Sequence, residues 1–391
     1  MTKGGNMTAP ISSQTDQESG VPVTSHRLQY VCFQATRHGQ ASYAHVHEIL
    51  NGLLVHGWSN ELFQPRYAES TRRIGMPERL LEFLMLQWRA AWQLHRFELL
   101  YCRYHPASIP ILLYARMRRI PVVVEVNGSY KDAYAMYPAM KPFRGLLNLI
   151  AQASLRLADE LVAVTPGLRM WLESEVPNAA VTVIANATNA EVFHPGAPCP
   201  IPLPQAYVVF VGSLSPWQGI ETILKAAELP GWPESVSVVI AGEGPLTQVV
   251  QKAAADNPRV IYVGTLPYHD IPGLTAHSIA ALIPKNNILE SSVTGLSPLK
   301  LYESAACGVP IIVTDLPGMS DFVKDHGCGL VIPCEDPVAL AAAVKELATD
   351  PEACAAMSGR ARQTIVSGNT WAHRSADTVD VLARCLKKVR S

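Results

Sequence analysis

The stretch LSPLKLYESAACGVP at residues 296–310 gathers a cation, a carboxylate and a helix start within a few positions. Ser297 suits an N-cap, Pro298 the first helical position and Gly308 a left-handed C-terminal cap. Lys300 then falls in the first turn, where the helix dipole and unpaired N–H groups favour an anion over a cation. A basic group at that place anticipates a negative partner. Glu303, three residues on, shares a helix face with Lys300, and its carboxylate could accept hydrogen bonds from sugar hydroxyls. Two other loops have phosphate-binding character. VGSLSPWQGIETILKAA (211–227) puts Gly212 at a strand end and Gly219 at a helix start, and AGEGP (241–245) repeats the arrangement with Gly242 and Glu243. Either loop alone is equally explained as a glycine turn.

Elements that could position these loops are legible as apolar runs alternating with helical patterns. LQYVCF (28–33), VVVEV (122–126), LVAV (161–164) and VTVI (181–184) read as strands buried on both faces, with amphipathic stretches at 41–56, 77–95 and 143–157 between them. The alternation restarts with YVVFVG (207–212), VSVVIAG (236–242), VIYVG (260–264), IAALIP (279–284), VPIIVT (309–314) and GLVIP (329–333). The fold class is therefore α/β, with two doubly wound parallel sheets. The expected division is a polar tail at 1–26, a first domain at 27–195, a Pro-rich linker at 196–206, a second domain at 207–368 and a terminal helix at 369–391. Ligands of such sheets bind beyond the carboxyl ends of the strands, in the crevice two facing domains would form.

Composition bounds the partners. Charged residues make up 17% of the chain and the net charge is −1, which excludes a disordered chain or one that coats nucleic acid. Residues 27–195 carry 17 Lys/Arg against 13 Asp/Glu, whereas residues 196–391 carry 14 against 18, so the first domain is the one suited to an anionic partner. Eight cysteines without a CxxC pair indicate neither a zinc site nor a disulfide framework, and a cytoplasmic setting is expected. The first 26 residues have no apolar core like that of a signal peptide, and no apolar run is long enough to span a bilayer, so the Asn-x-Ser/Thr triplets at Asn6, Asn127 and Asn186 read as chance matches. EFLMLQWRAAWQL (82–94) and YARMRRIP (114–121) mix basic, aromatic and apolar residues. Peripheral membrane docking through the first domain is one reading; a core helix with a solvated arginine edge is the reading its spacing favours. His45 and His47 lie two apart on a helix and do not share a face, so they read as packed or solvated side chains rather than a metal pair.

The succession strand–GSLSPWQG, strand–GEGP, then SPLKLYESAACGVPIIVTD resembles the nucleotide-binding domain of retaining GT-B glycosyltransferases of family 4. RHGQASYAHVHEILNGLLVHGW (37–58) resembles that family's glycine loop and first helix, VVVEVNGS (122–129) its strand ending at the cleft, and VTVIANATNAEVFHP (181–195) its segment before the linker. The resemblance covers roughly residues 27–390 and implies a GT-B fold, two Rossmann-like domains facing across a cleft. It implies a donor site made of Gly39, Gly212, Ser213, Trp217, Gln218, Gly219, Gly242, Glu243, Gly264, Thr265, Ser297, Pro298, Leu299, Lys300, Leu301 and Glu303, with Gln40 and Ser42 beside Gly39. Lys300, Glu303 and Asn127 take the catalytic positions, Asn127 standing where many relatives have a histidine. The implied substrates are a nucleoside-diphosphate sugar and a hydroxyl acceptor, lipid-linked or oligosaccharide, with no cofactor, no metal and no nucleic acid.

The chain also departs from the family. Ser213 and Gln218 stand where relatives have an Arg and a Lys on the donor diphosphate, and Gly295 stands at the first of the paired glutamates, with Glu290 as an alternative carboxylate or a solvated loop residue. What remains resembles a branch pairing Trp-x-Gly with Ser-Pro-Leu-Lys, in which Lys300 carries most of the cationic duty. These departures keep two further readings in view, a noncatalytic nucleotide-sugar-binding subunit and a GT-B sugar-nucleotide epimerase. A nicotinamide dehydrogenase is disfavoured, since no G-x-G-x-x-G opens either domain, and the absence of Asp-x-Asp speaks against the metal-bound diphosphate of the other common transferase fold.

Overall fold

Runs of Val, Ile and Leu without polar alternation become inner strands of parallel sheets, because crossover helices cover both faces. In the computed structural model, which describes residues 26–37, 41–69, 74–132, 134, 138–288 and 291–390, the chain forms two such sheets, one in each of two lobes. The first contains β1 (His26–Cys32), β2 (Trp58–Phe63), β3 (Leu99–Arg103), β4 (Val122–Val126), β5 (Glu160–Ala163) and β6 (Val181–Val183), in the order β2-β1-β3-β4-β5-β6. The second contains β7 (Tyr207–Val211), β8 (Ser237–Ala241), β9 (Val260–Gly264), β10 (Ala280–Ile283), β11 (Ile311–Thr314) and β12 (Gly329–Ile332), in the order β12-β11-β10-β7-β8-β9. All the pairings are parallel, as alternating β and α units require.

Two of these strands have no counterpart in the sequence reading. WSNELF of β2 is an edge strand whose middle is only half-buried, so it lacks an apolar run. LLYCR of β3 follows a helix after one short 3₁₀ turn (Leu94–Arg96), and its apolar residues merge with the helix's own period.

Helices of the first lobe divide between the faces of its sheet. On one face α1 (Ala41–Val55) buries Val46, Ile49, Leu50 and Leu53 against Tyr30, Leu99 and Tyr101. On the other, α2 (Met76–Gln93), α3 (Ile109–Met117), α4 (Arg144–Arg156) and α5 (Pro166–Glu175) bury Leu86, Leu112, Leu155 and Leu172 against Val31, Leu100, Val122 and Val124. Burying one such side chain contributes about 1.5–3 kcal/mol, so each layer is held mainly by its inward stripe. The outward stripe of α2 departs from expectation. Met76, Leu80, Leu84, Trp88 and Trp92 recur every four residues on the solvent side and are 56–69% exposed, which is not a solvated arginine edge.

In the second lobe the helices are α6 (Ile220–Glu228), α7 (Thr247–Asp256), α8 (Ile271–Ala276), α9 (Ser291–Thr294), α10 (Leu299–Ala306), α11 (Met319–His326), α12 (Pro337–Thr349) and α13 (Pro351–Gly368). Asp336 and Asp350 each accept a hydrogen bond from a backbone amide three residues on, with proline next in sequence, the expected start signal. The last helix, α14 (Trp371–Arg390), lies back on the first lobe. It packs on α1 so closely that a Cβ on Gly52 would come within 2.4 Å of Ser375 Cβ, and Arg384 Nη2 donates to Glu160 Oε1 at 2.7 Å.

Candidate functional site

A cleft of ≈ 790 Å³ runs between the lobes, lined by residues that follow the carboxyl ends of strands on both sides. In the first sheet the strand order reverses between β1 and β3, and in the second between β7 and β10. Loops leave such a point in opposite directions and open a crevice. Gln34, Arg103 and Asn127 line it after or at the ends of β1, β3 and β4; Gly212 and Lys285 line it after β7 and β10.

Two half-buried lysines meet there. Lys300 is the second residue of α10; its Nζ donates to Gln218 Oε1 at 3.2 Å and lies 4.1 Å from the Phe210 ring centroid. Gly212, at φ +139°, makes room for it, because a Cβ there would sit 2.9 Å from Lys300 Nζ. Burial and then the neighbouring Lys285 push the Lys300 amine down to about 7, against the opposite pull of Glu303. Burial pushes Lys285 down to about 8. Among the described residues neither amine has a carboxylate within ion-pair distance. Glu303 is pushed up to about 7 by burial, against the Tyr268 hydroxyl, which donates to its Oε1 at 3.3 Å, and against Lys300. Two amines held near their neutral point in a cleft carry charge at little cost only when an anion joins them.

The facing wall is built on a carboxylate inside a strand. Glu125, in the centre of VVVEV, is 2% exposed. Tyr101 donates its hydroxyl to Oε2 at 2.9 Å, Asn127 Nδ2 donates to Oε1 at 2.5 Å, and His45 Nε2 of α1 lies 2.9 Å from Oε1. Burial alone would raise this carboxyl, but His45, Arg103 and Asn127 outweigh it and hold Glu125 well below the usual carboxylate range. Asn127 is thereby fixed at the cleft with its amide nitrogen committed. His45 is linked to the other lobe through Asn186: its Nδ1 lies 2.8 Å from Asn186 Oδ1, and Asn186 Nδ2 donates across to the Ser297 carbonyl at 2.5 Å.

The second contact corrects the role expected of Ser297. Pro298 is the N-cap of α10, and no side chain caps it; Ser297 Oγ instead accepts from Asn186 N at 3.2 Å and lies 3.0 Å from the Tyr302 hydroxyl. A proline with extended ψ can end the preceding loop without a side-chain cap, which frees the serine to join the lobes. Gly308, at φ +68°, does follow the helix end in the left-handed region.

Of the other expected site residues, Gly212, Ser213, Gln218, Gly242, Glu243, Thr265, Pro298, Leu299 and Asn127 line the cleft with Lys300, Glu303 and Ser297. Four do not line it. Leu301 is fully buried in the second lobe's core, and its amide is bonded to the Pro298 carbonyl. Trp217 is 38% exposed beside the cleft, Gly219 starts α6 behind the loop, and Gly264 ends β9, with its carbonyl accepting from the Gly242 amide at 2.7 Å. Gly39, Gln40 and Glu290 lie outside the described residues. Sequence reasoning missed Lys285, Arg103 and Glu125, and read His45 as a packed or solvated side chain; it is packed, against Glu125. The other three carried a signal: Lys285 and Arg103 sit at or just past a strand's carboxyl end, and Glu125 interrupts a valine run.

A cleft between two Rossmann-like parallel sheets, with two amines facing it, is the class of site this geometry defines. Comparison with known proteins narrows it. Residues 43–192 match the family described as Glycosyltransferase Family 4, and residues 198–364 match Glycosyl transferases group 1. The two matches together take in both lobes, and the chain belongs to this glycosyltransferase family. It is 28% identical over 181 residues, 45% of this chain, to a GDP-mannose-dependent alpha-(1-6)-phosphatidylinositol monomannoside mannosyltransferase of Mycolicibacterium smegmatis, spanning 47% of that relative's length. It is 23% identical to the alpha-maltose-1-phosphate synthase of the same organism, over 59% of this chain and 65% of that one. A D-inositol 3-phosphate glycosyltransferase of Thermobispora bispora is 25% identical over 82% of this chain and 79% of its own. Among solved structures, sucrose-phosphate synthase from Thermosynechococcus elongatus superposes with a TM-score of 0.74 at 16% identity, over 93% of this chain and 100% of that one. HepE from Anabaena, in complex with UDP and glucose, gives 0.68 at 16% identity, over 92% and 99%. These likenesses establish the GT-B fold.

Proposed function

We propose that this chain is a metal-independent, retaining glycosyltransferase that moves a hexosyl group from a nucleoside-diphosphate sugar, with UDP or GDP as the nucleotide, to a hydroxyl acceptor. The single observation that carries the reading is the pair of half-buried lysines, Lys300 and Lys285, facing the cleft beside the start of α10 with no carboxylate partner among the described residues. Their charges take the place of the Arg and Lys that Ser213 and Gln218 replace. A named relative uses GDP-mannose and a neighbour in fold holds UDP, which supports the donor class.

In this reading the diphosphate lies against Lys300, Lys285 and the first-turn amides of α10, and Glu303 accepts from the ribose hydroxyls. The bond from the anomeric carbon to the phosphate oxygen breaks as the acceptor oxygen bonds the same face, and the acceptor's proton passes to the departing oxygen. Stabilising that oxygen's charge in a dry cleft is the main task, and preorganised cations perform it. Asn127, held by Glu125, positions the reacting sugar. No cofactor enters the scheme. The acceptor is a growing glycan or a lipid-linked intermediate of polysaccharide or glycoconjugate synthesis. The reaction takes place in the cytoplasm, a reducing setting in which the eight unpaired cysteines stay as thiols.

Thermal stabilisation by UDP, GDP and ADP tests the donor, because a ligand at about 100 times its Kd adds about 2.7 kcal/mol. Slow nucleoside-diphosphate release from the matching sugar nucleotide is then expected. Stabilisation without release, even with acceptor extracts, would reassign the chain as a noncatalytic binding subunit, and no stabilisation by any of the three would remove the reading.

A further inference from the structure

The outer surface of the first lobe's helix layer carries a second feature, independent of the cleft. Helix α2 is apolar on two sides. Leu86 and Ala90 face the sheet, while Met76, Leu80, Leu84, Trp88 and Trp92, spaced four apart, form an exposed stripe along its whole length of about 27 Å. Trp88 and Trp92 stack with ring centroids 5.9 Å apart, yet stand 66% and 69% exposed. Helix α3 packs beside α2 and α4 beside α3 in the same layer, with Met117 at 74% on α3 and Phe143, Leu146 and Leu149 at 60–63% at the start and along the outer side of α4. Exposed apolar side chains gathered on neighbouring helices mark an interaction site.

Charge states what it meets. Residues 76–96, 109–119 and 138–156, which form α2, α3 and α4 with their ends, carry nine Lys/Arg against two Glu in a chain whose net charge is −1. Arg79, Arg96, Arg118, Arg119, Lys141 and Arg144 are exposed around the apolar residues. A protein partner would need its own acidic rim and a matching groove. A bilayer with anionic headgroups supplies negative charge at one level and an apolar interior just below it, the layering this surface has. Tryptophan suits that boundary, with an apolar body and a polar N–H. None of the described helices is long and apolar enough to cross a membrane, so the contact is peripheral. We propose that the outer face of α2, α3 and α4 docks this protein on the surface of an anionic phospholipid bilayer, with the Trp88–Trp92 pair inserted at the headgroup boundary. Helices of parallel βα units begin at the strand ends that face the cleft, so the Met76 and Arg144 ends of this surface lie on the cleft side of the lobe.

Co-sedimentation of the full chain with vesicles of phosphatidylcholine, with and without phosphatidylglycerol, tests the proposal. Binding to the anionic vesicles only, weakened by high salt and accompanied by a blue shift of tryptophan fluorescence, is expected. Trp88→Ser with Trp92→Ser should weaken that binding by at least about tenfold, and Arg118→Glu with Arg119→Glu by a similar factor, both largely abolishing its salt sensitivity or depth of insertion. Because all four side chains are exposed, melting temperature and nucleotide binding should stay as in the parent chain; Leu80→Gln with Leu84→Gln serves as a second test if the tryptophan variant misfolds. No binding to anionic vesicles, or binding that these variants leave unchanged, would overturn the proposal. So would a dimer in solution that the tryptophan variant converts to monomer, since the face would then be an interface between copies. Loss of vesicle binding with intact donor turnover would separate docking from the catalytic reading.

Discussion

Replacing Lys300 by methionine keeps the length of the side chain and removes its charge. A unit charge about 4 Å from a phosphoryl oxygen contributes about 4 kcal/mol at the effective dielectric constant of a partly buried site. The structure reduces that figure. With the amine held at about 7 before ligand binds, protonating it at pH 7.5 costs about 0.8 kcal/mol, leaving a net of about 3 kcal/mol. Kcat/KM for nucleoside-diphosphate release should therefore fall about 150-fold in Lys300→Met, a loss of the size seen when one oxyanion donor is removed. Stability should move the other way. A partly desolvated amine whose charged form is disfavoured destabilises the unliganded fold, so the melting temperature of the variant should be unchanged or higher. The measurement is a progress curve of nucleoside-diphosphate release alongside a thermal melt, both at pH 7.5. A kcat/KM within tenfold of the parent, with the melt unchanged, would refute the assignment of Lys300 to the diphosphate.

Lys285→Met should weaken nucleoside-diphosphate binding by at least about tenfold, read by titration calorimetry, since it removes the second cation of the pair. Binding at pH 8 should take up roughly one proton, seen as a dependence of the binding enthalpy on the buffer's ionisation enthalpy, because both amines titrate near or below that pH only while the cleft is unliganded. In the unliganded protein, Glu303 binds more protons folded than unfolded between its ordinary range and about 7, and Lys300 and Lys285 bind fewer from about 7 upward, so their joint contribution to stability falls towards pH 7 and rises above it; melts across pH 5–10 should show this minimum and Lys300→Met should flatten its alkaline side. Gly219→Ala should destabilise the fold by at least about 2 kcal/mol in denaturant titration, because φ is +73° and a Cβ would lie 1.7 Å from the Pro284 carbonyl oxygen, one residue before Lys285.

Local rules were enough to read the two-sheet architecture and the second-lobe half of the cleft. Buried parallel strands need apolar runs, their crossovers need helices, and a glycine at a strand end leaves room for a close approach, so these features are written in neighbouring residues. Lys300, Glu303 and the loops at Gly212 and Gly242 were found on that basis. Where a side chain far along the chain decides the outcome, local pattern marks a residue but not its partner. Ser297 looked like a cap, but Asn186 of the other lobe claims its carbonyl and hydroxyl. Glu125 and His45 are 80 positions apart by number and meet only when α1 lies against β4, and Lys285 gains its neighbour from a helix that begins after a further loop. The stripe on α2 makes the same point from outside. Periodicity reports that a helix has apolar faces, but whether a given face is covered depends on what the rest of the chain places against it, and Trp88 and Trp92 stay about two-thirds exposed among the described residues. Sequence alone thus determined the alternation of β and α units in two lobes and most of their elements, because those are local energies; the edge strand β2, the short strand β3, the groups that meet across the cleft and the apolar surface that stays open were decided by tertiary packing, because contact and desolvation depend on distance in space rather than along the chain.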